Sequence, residues 1–179
     1  MREGRISGIR EIRSLNIRVA RDIPGIAQGI PLAENLLIIG APGWGKTTLL
    51  RDLIRSISEN GAQIAVVDER MELFPPGGFS PGPCTDILSG CGKEEGIHTV
   101  LRAMGPEWIG VDEITHRDDC EALLEAGWCG VRLIATAHAA SIWDLQRRKV
   151  YQPLISSGLF STVVVLKPDQ QWTLERMDL

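Results

Sequence analysis

Residues 35 to 59, "NLLIIGAPGWGKTTLLRDLIRSISE", admit few folds, because an unbroken apolar run, a glycine-rich loop and a helical stripe follow one another without a gap. Leu36 to Ile39 read as a strand buried on both faces, the pattern of a parallel sheet. Leu49, Leu50, Leu53, Ile54 and Ile57 then recur at helical spacing, and Asn60-Gly61 supplies the stop. Between the two, Gly40-Ala41-Pro42-Gly43-Trp44-Gly45-Lys46-Thr47 fits the spacing GxxxxGK[ST]. A strand feeding such a loop into a helix lets main-chain N–H groups and a helix amino terminus converge on phosphate.

That loop assigns roles. Gly40, Ala41, Pro42, Gly43, Trp44 and Gly45 are the expected cradle, Lys46 the contact to β and γ phosphates, and Thr47 the hydroxyl ligand of Mg²⁺. Thr48 is the next helix residue, near the phosphates. Trp44 is the odd member, but with the amides facing inward its side chain can face outward. Packing on a neighbouring element, contact with another subunit and contact with substrate stay open.

Further strands and helices alternate downstream. "QIAVVDER" is a strand, residues 71 to 93 are a long loop because proline and glycine interrupt them repeatedly, and a helix follows from about Glu94 to Met104. "EWIGVDEI" and "VRLIATAH" are strands flanking the helix in "DDCEALLEAG", which has acids at its amino end and a glycine, Gly127, after it. Ser141 opens a capped helix to about Lys149, and a short helix ends at Gly158. "STVVVL" and "QWTLER" form an antiparallel pair across a turn at Lys167 to Gln170. Near the start, Leu15, Ile17 and Val19 alternate with polar residues as a short strand would. The pattern predicts an α/β fold with a mostly parallel sheet, helices on both faces and a working edge at the strand carboxyl ends. Residues 1–23 are read as a basic appendage and 24–179 as the domain.

Strand ends carry the remaining chemistry. Asp112 and Glu113 close an apolar strand, where one carboxylate holds Mg²⁺ through water and the other orients water for attack on the γ phosphate. Asp68 and Glu69 close another; they are placed either to hold the metal-bound water network or to pair with Arg70. Thr136 and His138 end a third, from which His138 can hydrogen-bond the γ phosphate. Arg102 and Arg117 are candidates for reaching a neighbour's nucleotide.

Charge is uneven. Residues 1–21 hold six arginines against two glutamates, so they carry +4 within a chain of net charge −4. A solvated or subunit-docking face is the plain reading of that end, with nucleic acid or anionic lipid as the alternative. The overall acidity gives no reason to expect a specific nucleic-acid partner. The start lacks the apolar core of a secretory signal and no run approaches a membrane span, so a soluble, cytoplasmic protein is expected. Cys84, Cys91, Cys120 and Cys129 form no CxxC pair, and His98, His116 and His138 have no zinc-like spacing with them. Reduced thiols are expected.

Together, "GAPGWGKTTLLRDLIR", "VVDER", "TDILSGCGKEEGIHTVLRAMGPEWIGVDEI" and "VRLIATAHAASIWDL" resemble the stage III sporulation AA family, which is similar to secretion and type IV pilus motor ATPases. The resemblance spans roughly residues 10 to 167 and implies a RecA-like, additional-strand P-loop fold. Gly40 to Thr48 resemble the Walker A motif, Val111 to Glu113 the end of Walker B, Asp68 to Arg70 the acidic box and His138 the histidine box. Because the acidic box can supply the catalytic glutamate in such motors, Glu69 rivals Glu113.

The resemblance also implies ATP and Mg²⁺, a homo-oligomer, hexameric in relatives, and membrane-associated sporulation channel proteins as partners, with a mother-cell location peripheral to the membrane. Where the family carries Arg-Thr-Asp this chain has Cys84-Thr85-Asp86, and where it carries Gly-Arg this chain has Thr115-His116. Most of an expected upstream domain is missing, which implies a shortened form or a fragment. Three functions follow: an ATPase motor, a nucleotide-dependent scaffold with weak hydrolysis, which the missing arginines favour, and a small-molecule kinase with Gln146 to Lys149 as a lid.

Overall fold

The computed structural model describes residue 14 and residues 20–168 and 171–177. The strand expected over residues 15–19 and five of the six amino-terminal arginines lie outside these residues. Seven strands, β1 (Leu36–Gly40), β2 (Ile64–Asp68), β3 (Thr85–Ser89), β4 (Trp108–Ile114), β5 (Arg132–His138), β6 (Thr162–Leu166) and β7 (Trp172–Arg176), form one sheet in the order β3-β2-β4-β5-β1-β6-β7. All neighbours are parallel except β6 and β7, which are antiparallel. The expected fold class is present, including the additional strand: β5 lies between the loop strand β1 and the acid-ending strand β4.

Alternation along each strand divides the core in two. Leu36, Ile38, Ile64, Val66, Trp108 and Ile134 face the helix α1 (Lys46–Glu59), whose Leu49, Leu50, Leu53, Ile54 and Ile57 are each at most 2% exposed. Removing those five side chains from water contributes on the order of 10 kcal/mol before chain entropy is counted. Leu37, Ile39, Ala65, Val67, Ile109, Val111, Leu133 and Ala135 face the other way, toward α2 (Lys93–Ala103), α3 (Arg117–Trp128) and α5 (Gln152–Ser157). The short helix α4 (Ile142–Arg147) starts where Asp144 N–H donates to Ser141 Oγ at 3.1 Å. It stops two residues before the expected Lys149, and a 3₁₀ turn, Lys149–Tyr151, follows.

Two local expectations are corrected. The stretch from 71 to 93 is not a continuous loop, since β3 pairs with β2 along its whole length, Ile64 opposite Thr85 to Asp68 opposite Ser89. Gly127 does not terminate α3 but lies inside it; Gly130, with φ +85°, follows the helix. A Cβ at Gly127 would come within 2.4 Å of Leu159 Cδ1, so this glycine serves close packing.

Residues 20–34 form a strap over α1. Asp52, 3% exposed, accepts from the N–H groups of Gly25 at 3.0 Å and Ala27 at 2.9 Å, and Arg55 bridges Asp52 to Asp22. Trp172 Nε1 donates to Ile26 O at 3.2 Å from the far edge of the sheet. Among the described residues no helix is long and apolar enough to cross a membrane.

Candidate functional site

The carboxyl ends of β1, β4 and β5 open into one cleft of about 860 Å³, walled by Pro42, Gly43, Gly45, Lys46, Thr47 and Thr48 on one side and Asp112, Glu113 and His138 on the other. The loop's shape depends on glycine: Gly43 and Gly45 have φ of +81° and +96°, in the left-handed region that side-chain-bearing residues rarely adopt. Gly45 is the amino cap of α1, so the loop ends where the helix presents its unpaired N–H groups. Gly40 is needed for a different reason, since a Cβ there would sit 3.0 Å from Leu166 Cβ. Trp44 is half-buried against the core cluster on the α1 face and is not part of the cleft wall. A bulky residue is tolerated in this loop because it packs away from the cleft.

Hydrogen bonds join the predicted residues into two short chains. Lys46 Nζ donates to Gly40 O at 2.9 Å and Ala41 O at 3.1 Å, and lies 3.0 Å from His138 Nδ1. An ammonium only donates, so Nδ1 accepts and the ring proton sits on Nε2, which donates to Glu113 Oε1 at 2.9 Å. In the second chain Thr47 Oγ1 donates to Asp112 Oδ2 at 2.9 Å, and Thr136 Oγ1 donates to Asp112 Oδ1 at 2.6 Å. The two chains meet at Glu113, whose N–H donates to the same Thr136 hydroxyl at 2.7 Å. Glu113 has φ +54°, which for a non-glycine residue costs about 1–2 kcal/mol.

The second acidic pair is used differently. Asp68, 3% exposed, accepts from the N–H groups of Glu72 at 2.9 Å, Leu73 at 3.0 Å and Phe74 at 3.0 Å, and so caps the loop after β2. Glu69 pairs with the buried Lys93 rather than Arg70, and that ammonium holds its carboxyl below the ordinary carboxylate range. Glu69, Lys93, Asp112 and Glu113 line a small adjoining cleft, so both glutamates stand near Asp112.

Among the described residues no group of three or more His, Cys, Asp or Glu is arranged as a metal cage. Mg²⁺ does not require one, because it keeps several waters and takes one or two protein oxygens plus phosphate. The Thr47 hydroxyl and the Asp112 carboxylate, 2.9 Å apart beside the glycine loop, fit that donor set. Arg117 pairs with Glu121 on α3, and Gln146 to Lys149 do not wall the main cleft.

Two side chains with no role expected from sequence order the site. Arg51, 1% exposed on α1, donates to Arg21 O, Glu72 O and Leu73 O, tying the strap to the loop after β2 beside the cleft. Tyr151, 4% exposed, donates to Ile114 O at 3.2 Å and accepts from His138 N–H at 3.3 Å, stitching the ends of β4 and β5; burial pushes its phenol pKa up. The only sequence signal for Arg51 was its place beside the apolar stripe of α1; Tyr151 gave none, as its partners lie 13 and 37 residues away.

Comparison with known proteins places this arrangement. The chain is 43% identical over 183 aligned residues to the stage III sporulation protein AA of Bacillus subtilis (strain 168), an alignment covering 91% of this chain and 58% of that protein. The ATPase DotB of Legionella pneumophila superposes with a TM-score of 0.60 at 21% identity, over 85% of this chain and 47% of that one. The VirB11 ATPase of the Brucella suis type IV secretion system superposes with a TM-score of 0.61 at 17% identity, over 84% and 49%. The chain thus spans about half the length of the proteins it matches, and the fold is that of the secretion ATPases. The family model of sporulation stage III, protein AA matches residues 1–174, and the chain belongs to that family.

Proposed function

We propose that this domain binds ATP with Mg²⁺ and hydrolyses it as the motor of a sporulation channel or secretion-like assembly, working as a homo-oligomer at the membrane through partner proteins. The carrying observation is the 2.9 Å contact between Thr47 and Asp112, which joins the helix that would bind phosphate to the strand that would hold the metal. Around it the loop amides and Lys46 provide positive charge for a triphosphate tail.

Lys46 now rests on the carbonyls of Gly40 and Ala41 and against His138. Phosphate oxygens are stronger acceptors than these, so substrate draws the ammonium off. His138 Nδ1 is then released from Lys46 while Nε2 still holds Glu113, which couples arrival of the γ phosphate to that carboxylate. Mg²⁺, when bound, neutralises charge developing on the phosphates; Thr47 and Asp112 are the residues that would hold it. Glu113 orients a water and takes its proton as the water oxygen bonds to the γ phosphorus and the bridging oxygen leaves with ADP. Glu113 is favoured over Glu69 because it lines the same cleft as Lys46 and Thr47, while Glu69 is engaged by Lys93.

Lys46→Ala should abolish binding of a fluorescent ATP analogue in equilibrium titration; unchanged affinity would refute the assignment. The scaffold reading keeps one observation in its favour, the presence of Cys84, Thr115 and His116 where the family carries arginine-bearing motifs. Single-turnover phosphate release distinguishes the two, since a scaffold retains nucleotide without releasing phosphate.

A further inference from the structure

We infer that Thr136 is a positioning residue, whose hydroxyl sets the relative placement of the metal-side carboxylate Asp112 and the water-orienting carboxylate Glu113. The inference rests on the ATPase reading above for its catalytic consequence, but its geometric core stands independently.

The β4–β5 ladder runs in step from Trp108 opposite Arg132 to Val111 opposite Ala135 and resumes with Ile114 opposite Ala137. Between these points β4 has two residues, Asp112 and Glu113, and β5 has one, Thr136. That is a bulge, and a bulge leaves main-chain groups without their ladder partners. Here the Glu113 N–H turns to the Thr136 hydroxyl at 2.7 Å, so a side chain replaces the missing ladder carbonyl. A hydroxyl has a single proton, and it goes to Asp112 Oδ1 at 2.6 Å, because a carboxylate can only accept and an N–H can only donate. The direction of both bonds is therefore fixed.

Thr136 is fully buried and β-branched, on a strand flanked by β4 and β1, so its χ1 has little freedom. A rigid hydroxyl holds Glu113 in the left-handed conformation seen at φ +54°. That conformation turns the Glu113 side chain toward His138 on the next strand, 2.9 Å from Nε2. The strain at Glu113 thus has an identified restraint, and the restraint also touches the residue that would face the metal.

Thr136→Val keeps the shape and removes the hydroxyl; Thr136→Ser keeps the hydroxyl. For full-length protein, kcat of the Val variant should fall on the order of 10²-fold while the affinity for ATP analogue changes little, the signature of a misplaced group rather than a lost binding contact. The Ser variant should recover most of that rate. A Val variant turning over within about threefold of wild type, or a Ser variant as slow as Val, would overturn the inference. Crystal structures of both variants decide the geometry without any turnover: in Val, Glu113 should leave the left-handed region and its contact with His138, and in Ser it should keep both. Retention of the left-handed φ in Val would defeat the proposal even if the enzyme were slow, whereas a wild type with no turnover would defeat only the ATPase reading. Should Val fail to fold, Thr136→Cys, with a weakly hydrogen-bonding thiol, takes its place in both arms.

Discussion

The tripeptide Val-Asp-Glu occurs twice, as residues 67–69 and 111–113, on neighbouring parallel strands with Val67 directly opposite Val111. Local sequence is the same and the backbone register is shared, yet the carboxylates do different work. Asp68 faces three main-chain N–H groups and is buried; Asp112 faces two hydroxyls and remains partly open to the cleft. Glu69 is held by an ammonium on α2, Glu113 by an imidazole on β5. What separates the copies is the next neighbour. β4 lies beside β5, which presents Thr136 and His138, whereas β2 lies beside the edge strand β3, and the chain after it turns back over Asp68. An acidic pair at a strand end opens into the cleft or clamps a loop according to which strand is adjacent.

The sharpest way to break this comparison is to neutralise the two glutamates in turn. Glu113→Gln should leave ATP-analogue affinity nearly unchanged and lower phosphate release by about 10²–10⁴-fold, the range for loss of a general base. Glu69→Gln should lower it far less. Reversal of that order would transfer the base to the β2 copy.

The aspartates give a second contrast, in stability. Asp68→Ala strands three N–H groups that the carboxylate now serves, two of them in buried residues, and should destabilise the fold by roughly 3 kcal/mol, a fall of about 6–12 °C in Tm for a domain of this size. Asp112→Ala leaves one buried donor, the Thr136 hydroxyl, without its acceptor, while the half-buried Thr47 hydroxyl can turn to the cleft, so Tm should fall by less than for Asp68→Ala, with loss of Mg²⁺-dependent binding instead. Equal melting shifts would mean that the two carboxylates share one structural role.

Much of this contrast was invisible in the sequence, and the reasons are specific. The strand, loop and helix from Leu36 to Glu59 were legible because apolar period and glycine spacing are local signals. So were β4 to β7, and with them the proximity of Lys46, Thr47, Asp112, Glu113 and His138, since parallel strands bring their carboxyl ends together. Edge strand β3 was hidden because its residues are half-exposed and sit among prolines and glycines, leaving no alternation to detect. The pairing of Glu69 with Lys93 spans 24 residues and turns on how α2 docks, so Arg70, adjacent in sequence, was the visible partner and the wrong one. Arg51, Asp52 and Arg55 lie outside the apolar stripe of α1 yet are buried, because the strap and the chain after β2 cover them, a fact no helical period encodes.

Cysteine chemistry offers a smaller test of how the face that carries α3 is packed. Cys120 is buried, and its thiol is pushed up to about 12, chiefly by burial. Cys129, one residue beyond the helix, is exposed. In native protein at neutral pH iodoacetamide should modify Cys129 and spare Cys120, which should react only on unfolding; mass mapping of the two sites reads this directly. Early labelling of Cys120 would mean that α3 is looser against the sheet than its packing indicates.

The smallest expected effect concerns Lys93 and Glu69. The pairing lowers the Glu69 carboxyl from its usual value of 4.5, so the native state binds its proton less readily than the unfolded chain does. Such a group stabilises the fold above about 4.5, and the contribution is lost as pH falls through the depressed native value. Because Glu69 is 39% exposed, solvent screens the pair, and its worth is under about 1 kcal/mol. Lys93→Met should therefore lower stability slightly at pH 7, and the gap to wild type should narrow as pH falls below 4.5, as measured by urea unfolding at pH 7 and across the acid range. If Lys93→Met instead changed phosphate release as strongly as Glu113→Gln, the ammonium would be acting on the reaction through the cleft that both glutamates line, and the β2 copy could no longer be treated as a clamp.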